Sequence, residues 1–428
     1  MAWSALPTDL LCSISSQLPI ADFLRFSFVC TSWNYVVANN VILGIDCHPS
    51  PRLLLPNENG QASGILTFYD IAIKDESDLE VLDRHHYLSS LGYHISGRRC
   101  IGSKDGWLVT LDKIDLQPRI FNPLTKAEIC LPSFFTIPEE HCIRIRHEFA
   151  SNGSIETFYN EIHPQFSTDA KSFHEMYLRK IVISSNDSHG TAVCIYGCEK
   201  LLALAKPGDQ AWALGPQVPC YGTNELDEFE DVFYHKEEHR FYVITNFSMV
   251  LAFDLIGKNI EMICPPIQDP FTTNFDCNNY IFFLLGSLLK VERVTSINNL
   301  RNLRWHASAP GEPWYSKQTI GISVLKLRPD VTTSSCSFSQ WIPVDDLEGF
   351  SIFIGCNQTF ALHHKVAPGI RPNCVYFTDH PVVMSPDEVG HDIGLYDLQS
   401  KRFQYFVDPY SEPNWPPSIW YLSHHFHK

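Results

Sequence analysis

The chain has 428 residues, a formal charge of −16, and apolar and charged shares of 44% and 19%. At roughly 100–200 residues per domain, that length holds two to four domains, or a small one beside a large one, with cores that need no disulfide or metal. The composition excludes wholesale disorder, collagen and a long coiled coil, and the negative balance repels phosphate backbones, so nucleic acid is not expected as the main partner.

The first 45 residues are helical in pattern. Pro7–Leu18 places Leu10, Ile14 and Leu18 at i, i+4 and i+8, with Leu11 alongside. Pro7 suits the first helical position and Asp9 the positive end of the helix dipole. Pro19 interrupts the pattern. A second helix is expected over Ala21–Phe28 and a third over about Cys30–Ala38, ending at Asn39-Asn40. Three short helices make a unit with more apolar side chains than it can bury alone.

Beyond about residue 60 the rhythm becomes one of short strands and turns. One hairpin pattern recurs at Thr67–Leu82, Ile120–Leu131, Leu204–Leu214, Ala252–Cys264, Val324–Val344 and Leu395–Phe406. Each carries Asn, Asp or Lys before its turn: Asp70, Asn122, Lys206, Asp254, Lys326 and Asp397. Repeated hairpins in a chain of this size point to a β-propeller, with a sandwich as the structural alternative. Six hairpins predict six blades with long loops. A kelch period near 50 residues would give seven, with a further hairpin between Leu131 and Ile181.

The expected fold is therefore mainly β with a small α N-terminal domain: a three-helix unit, then a kelch-like propeller of six or seven blades. The expected boundaries are 1–45 for the helices, 46–60 for a linker, 61–415 for the propeller and 416–428 for a C-terminal tail.

The fourteen cysteines contain no C-x-x-C pair, the opening MAWSALPTDLL lacks a basic, apolar leader, and the longest apolar run, Ile281–Leu289, is too short to span a membrane. The expectation is a soluble chain in cytoplasm, nucleus or both, with reduced thiols and no membrane partner. No dinucleotide, phosphate-loop, serine-hydrolase or zinc-protease motif is present. Neither an activated cysteine nor Cys/His metal spacing is visible, and His85-His86, His363-His364 and His424-His425 lack ligand-spaced partners. No catalytic residue, metal or cofactor is expected. The acidic run Asn224–Asp231 reads as a solvated loop, or else as a steering patch for a basic target, and Asp345-Asp346 reads as a turn.

The residues Leu6-Pro7, Asp9-Leu10-Leu11, Ile14, Leu18-Pro19, Asp22–Phe26, Val29-Cys30 and Trp33 together resemble an F-box. The remainder resembles the plant family in which an F-box precedes a KIB-type β-propeller. The stretches that carry this are Gly102–Leu111, Asn122–Thr125, Leu288–Val294, Trp341–Val344, Phe353–Gly355, Arg371–Asp379, His391–Leu398 and Pro417–Trp420. It departs at Pro138–Lys180, which matches nothing familiar.

The resemblance implies the substrate receptor of a cullin-based SCF ubiquitin ligase, its F-box docked on a Skp-family adaptor and its propeller holding the target protein. Leu6, Pro7, Leu10, Ile14, Leu18, Phe23, Leu24, Val29, Cys30 and Trp33 would then share adaptor binding and internal packing. Leu6 and Pro7 are expected at the contact, and Ile14, Leu18 and Val29 inside the unit. Alternatives are a helical cap on the propeller, an interaction propeller that engages no cullin, and an enzyme or carbohydrate binder. The last would need converging carboxylates in a polar axial pocket. Target contacts are expected in the connection Val294–Ile320, which lacks strand character in its middle, and at aromatics in irregular stretches: Trp305, Trp314, Tyr315 and Trp415. Trp107, Trp212 and Trp341 are expected to pack between blades.

Overall fold

The computed structural model describes residues 6–15, 26, 29–42, 51–55, 67–70, 87–88, 98–112, 117–123, 125–138, 145–149, 155–160, 168–169, 178–185, 189–197, 200–218, 228–266, 276–299, 315–328, 341–367, 369–378, 392–406 and 418–422. Helix α1 (Thr8–Ser15) packs on α2 (Thr31–Ile42) around buried Leu11, Phe26 and Val36. α1 is described only to Ser15, and α2 runs past Asn39-Asn40, because asparagines without a glycine or proline do not force a stop. The helix expected over Ala21–Phe28 lies outside the described residues except at Phe26.

The rest is β-structure. The strands are β1 (Pro51–Leu55), β2 (Thr67–Asp70) and β3 (Tyr87–Leu88); β4 (Arg98–Lys104), β5 (Trp107–Asp112), β6 (Pro118–Phe121) and β7 (Glu128–Cys130); and β8 (Ile145–Phe149), β9 (Ile155–Asn160) and β10 (Thr168–Asp169). There follow β11 (Leu178–Ile183), β12 (Ala192–Tyr196), β13 (Leu201–Ala205) and β14 (Ala213–Leu214); β15 (Phe229–His235), β16 (Arg240–Thr245), β17 (Val250–Phe253) and β18 (Glu261–Cys264); and β19 (Asp276–Leu284), β20 (Ser287–Asn299), β21 (Tyr315–Leu327) and β22 (Trp341–Pro343). The last are β23 (Phe350–Ile354), β24 (Phe360–His363), β25 (Cys374–Phe377), β26 (Gly394–Asp397), β27 (Arg402–Tyr405) and β28 (Ile419–Leu422).

Five of the seven sheets formed by the described residues are four-stranded antiparallel blades of a β-propeller: β28-β1-β2-β3, β4–β7, β11–β14, β15–β18 and β19–β22. A five-stranded sheet has the order β24-β23-β25-β26-β27, and β8–β10 form a three-stranded one. The last occupies the unmatched Pro138–Lys180 stretch, where a further hairpin had been allowed for.

Five of the six recurrent hairpins meet the two outer strands of their sheets, whereas Thr67–Leu82 meets only β2 and otherwise lies outside the described residues; the turn chemistry explains the repeat. Asp254 Oδ1 accepts hydrogen bonds from the N–H of Ile256 (3.1 Å) and Lys258 (2.8 Å), and Asp397 Oδ1 from those of Gln399 (2.8 Å) and Ser400 (3.0 Å). Asn122 Oδ1 accepts from Thr125 N–H at 3.0 Å. The turns then close through left-handed residues, Lys126 (φ 62°), Asn259 (φ 51°) and Lys401 (φ 57°). In the β13–β14 turn the roles reverse, and Lys206 N–H donates to the Asp209 carboxylate at 2.7 Å.

Inner strands such as β12 and β13 are buried at every residue, so they read as continuous apolar runs without alternation. Trp212 and Trp341 are buried, and Trp107 is half-buried against the same core as Trp212. Trp212 Nε1 donates to Pro132 C=O at 2.9 Å, across from one sheet to the next.

Two boundaries differ from the sequence reading. β1 falls inside the stretch read as linker and β28 inside the stretch read as tail, yet Pro51 pairs with Leu422 and Leu53 with Trp420. Each strand is too short to announce itself, and its partner lies at the far end of the chain. The connection Val294–Ile320 also differs: β20 runs on to Asn299 and β21 starts at Tyr315, since paired Ser, Asn and Thr hold a ladder that β propensity alone does not suggest.

Candidate docking surface and the propeller axis

α1 divides its side chains. Leu11 and Ser15, four apart, are buried, and Ser15 Oγ donates to Cys12 C=O at 2.9 Å. Pro7, Leu10 and Ile14 lie on the outer side: Pro7 is exposed, Leu10 is 50% exposed and Ile14 39%. Ile14 and Val29, expected inside, are thus exposed, because Leu11 and Phe26 fill the space between the helices. Leu6, Cys30 and Trp33 are half-buried, and the Trp33 ring lies 4.1 Å from that of Phe26, so Trp33 holds the unit together. Leu18, Phe23 and Leu24 lie outside the described residues. Tyr35, 63% exposed, was not singled out in the sequence; its place one residue before buried Val36 is the signal that puts it outside. Pro7, Leu10 and Ile14 give α1 an exposed apolar side, and Val29 and Tyr35 are further exposed apolar residues of the helical unit.

The propeller axis is the opposite kind of place. Lys180 on β11 meets Asp231 on β15 at 2.5 Å, both buried. Asp231 Oδ2 also accepts from Ile281 N–H on β19 at 2.9 Å. Burial pushes the Asp231 carboxyl up against the opposing pull of Lys180. Lys200 pairs with Glu230 and, at 3.0 Å, with Glu228. Three of the carboxylates in the acidic run Asn224–Asp231 are therefore bound by lysines, and that end of it is no solvated loop.

Residues Gly355–Thr359, between β23 and β24, cross the axis. Gly355 C=O accepts from Lys180 Nζ at 3.2 Å, Gln358 N–H donates to Ser103 C=O at 3.1 Å, and Gln358 Oε1 accepts from Tyr234 N–H at 3.4 Å. A cavity beside Lys180, Lys200, Glu230 and Gly355 is about 20 Å³, room for one water. No converging pair of carboxylates free of a lysine stands there among the described residues.

Other titratable groups point the same way. Burial pushes the thiols of Cys100 and Cys374 up to about 12, the reverse of an activated nucleophile. No group of His, Cys, Asp and Glu able to hold a metal occurs among the described residues, and no helix there is long and apolar enough to cross a membrane. Tyr315 begins β21, whereas Trp305, Trp314 and Trp415 lie outside the described residues. Asp345 pairs with Lys401 at 2.6 Å, and Asp346 accepts from Glu348 N–H at 2.8 Å, as a turn requires.

Comparison with known families matches residues 3–43 to the F-box domain and residues 71–397 to the KIB1-4 beta-propeller. The chain belongs to the KIB1-4 beta-propeller family and carries an F-box in front of it. It is similar to the F-box protein SKIP23 of Arabidopsis thaliana, with 23% identity over 99% of this chain and 96% of that one. A putative F-box protein of the same plant, At4g17565, is 21% identical over 89% and 85%. Among solved structures, a Lactobacillus plantarum protein covers 87% of this chain and 99% of its own at 7% identity and a TM-score of 0.35. The Myceliophteria_thermophila Cps50 (Swd1) beta-propeller domain covers 54% and 82% at 9% identity and a TM-score of 0.24. Values this low do not bear on blade number or binding.

Proposed function

We propose that this chain is the substrate-recognition subunit of a cullin-based SCF ubiquitin ligase, acting in cytoplasm or nucleus. Its F-box, residues 1–45, docks on a Skp-family adaptor and through it on a cullin. Its propeller holds the target protein near the conjugating enzyme, raising the effective concentration of target lysines. The observation that carries this reading is the uncovered apolar side of α1, with Pro7, Leu10 and Ile14 outward over buried Leu11. Catalysis belongs to other subunits. The lysine-bound carboxylates of the axis and the raised thiols support that division.

We infer a kelch-like propeller of six blades, the five-stranded sheet being the sixth and β8–β10 an insertion. Contacts between neighbouring sheets support this. Tyr421 Oη donates to Gly106 C=O (3.1 Å), Lys104 Nζ to Ile183 C=O (2.9 Å), and Lys180 binds Asp231. His235 lies 4.3 Å from Phe283, Arg293 Nη1 donates to Thr378 C=O (2.6 Å), and Phe353 packs on Trp420 at 5.4 Å, closing the ring.

The contacts of Tyr421 with Gly106, Lys104 with Ile183 and His235 with Phe283 join the finishing ends of β28 and β4, β4 and β11, and β15 and β19, and we infer that these ends share one face. Pro51 pairs with Leu422 on that face, so the F-box joins the propeller there. Asn299, Tyr315 and the start of β28 lie on the opposite face, and we assign target binding to it, with Trp305, Trp314, Tyr315 and Trp415.

The test is co-purification with a Skp-family adaptor and cullin, comparing the intact chain with a Leu6→Ala/Pro7→Ala variant whose fold is checked by circular dichroism. Retention of both partners by the intact chain alone is expected. Equal behaviour of the two chains overturns the reading.

A further inference from the structure

One blade has a third strand that overhangs its fourth. β21 is 13 residues long, yet β22 pairs only with Leu325–Leu327. On its other side β20 pairs with β19 only as far as Thr295. Rungs from Ser296–Gln318 to Asn299–Tyr315 therefore form a two-stranded ribbon beyond the sheet.

The direction of its main-chain groups follows from three bonds. Val324 C=O accepts from Val344 N–H at 2.8 Å, on the side away from β20. Thr319 N–H donates to Asp392 Oδ2 at 2.8 Å, and Thr319 C=O accepts from Tyr405 Oη at 3.1 Å. Thr319 and Val324 are an odd number apart and still face the same side, as the register shift at Val294/Thr295 requires. Alternation then turns the N–H and C=O of Lys317 and Tyr315 away from β20 as well.

The neighbouring blade thus answers Thr319 as an added strand would, with an acceptor for its N–H and a donor for its C=O. The next two rungs, Lys317 and Tyr315, have no such partner among the described residues. A strand edge left unpaired among the described residues is what an extended peptide joins by strand addition.

Charge narrows the occupant. Residues 296–318 hold Arg301, Arg304 and Lys317 against Glu312, a local balance of +2 in a chain of −16. Antiparallel pairing of this edge with a second copy would bring two Lys317 residues close together, which opposes self-association.

We propose that the open edge of β21 at Tyr315–Lys317 takes an extended, acidic segment of the target protein as an added strand. This rests on the receptor reading above.

The probe is a display library of linear ten-residue peptides, selected on the full chain bound to a Skp-family adaptor. Retained peptides are expected to be rich in Asp and Glu. N-methylation of alternate residues should weaken them about tenfold, and methylation of the residues between should not. Lys317→Pro removes an N–H that faces away from β20, so the ribbon keeps its ladder while peptide affinity falls about tenfold. Lys317→Glu keeps the N–H and should weaken acidic peptides alone, a check that stands if the proline variant fails to fold. The proposal is overturned if no peptide is retained, if retained peptides ignore Lys317→Pro and show no two-residue period, or if they are neutral or basic. It is also overturned if sedimentation shows a dimer that Lys317→Pro dissolves. Adaptor retention is scored separately. Its loss with the peptide pattern intact defeats the ligase reading alone, and its presence without the pattern defeats only the edge.

Discussion

Leu10 and Ile14 are apolar and stand in solvent, while Lys180 and Asp231 are charged and sealed inside. Both arrangements invert the usual distribution, for opposite reasons. Among its described residues the helical unit buries the apolar side chains of Leu11, Phe26 and Val36 and leaves Leu10 and Ile14 outside. The propeller has apolar side chains enough to fill the space between its sheets, as in the cluster of Val193, Phe241, Val243 and Phe253. Its charges at the axis can therefore be spent on linking strands that no ladder joins. Exposed apolar residues mark the surface to which adaptor binding is assigned, and buried ion pairs mark a closed interior.

The contrast breaks first at the axis. Asp231→Ala leaves Lys180 buried without its carboxylate, and a loss of about 3–5 kcal/mol is expected in urea unfolding followed by tryptophan fluorescence. Replacing both residues, Lys180→Met with Asp231→Leu, should cost less than the single change. A larger loss in the double variant would mean that the pair is a net stabiliser.

Gly102 comes next. A Cβ there would sit 2.2 Å from Ile181 C=O, where β4 and β11 approach. Gly102→Ala is expected to cost about 1–3 kcal/mol in the same measurement, and no change would mean that these inner strands separate freely.

Alkaline pH tests burial without mutation. Burial pushes the Cys100 and Cys374 thiols from 9.0 to about 12, helped by Cys356 near the first and Asp397 near the second. The folded values lie above the unfolded ones, so the stabilisation is complete below about pH 8.5 and falls as pH rises toward 12. The expected slope is up to about 1.4 kcal/mol per pH unit for each thiol, and Cys374→Ala should reduce it. A flat profile from pH 8.5 to 10.5 would place these thiols in contact with water.

A smaller effect belongs to the turns. Asp397→Ala removes two acceptor contacts at the β26–β27 corner and should cost about 1 kcal/mol.

What was legible in the sequence follows from the same physics. The outer hairpins could be read because Asn122, Asp254 and Asp397 leave the strand to bind the turn's own N–H groups. The inner strands carry no such mark: β12 and β13 are buried on both faces and show no alternation. β1 and β28 were read as linker and tail because each is recognisable only beside the other. The axial crossing Gly355–Thr359 has no local signature, since its partners Ser103, Lys180, Asp231 and Tyr234 come from three other sheets. In the F-box, spacing set out the face of α1, but which side turned outward depended on Phe26 and Leu11 filling the interior.

The most direct measurement is calorimetric titration of a purified Skp-family adaptor into the intact chain and into Leu10→Asp/Ile14→Asp, with urea unfolding of both. The expected result is binding by the intact chain, none by the variant, and propeller unfolding unchanged within about 0.5 kcal/mol. Equal adaptor binding by both chains, or loss of propeller stability in the variant, would contradict the account.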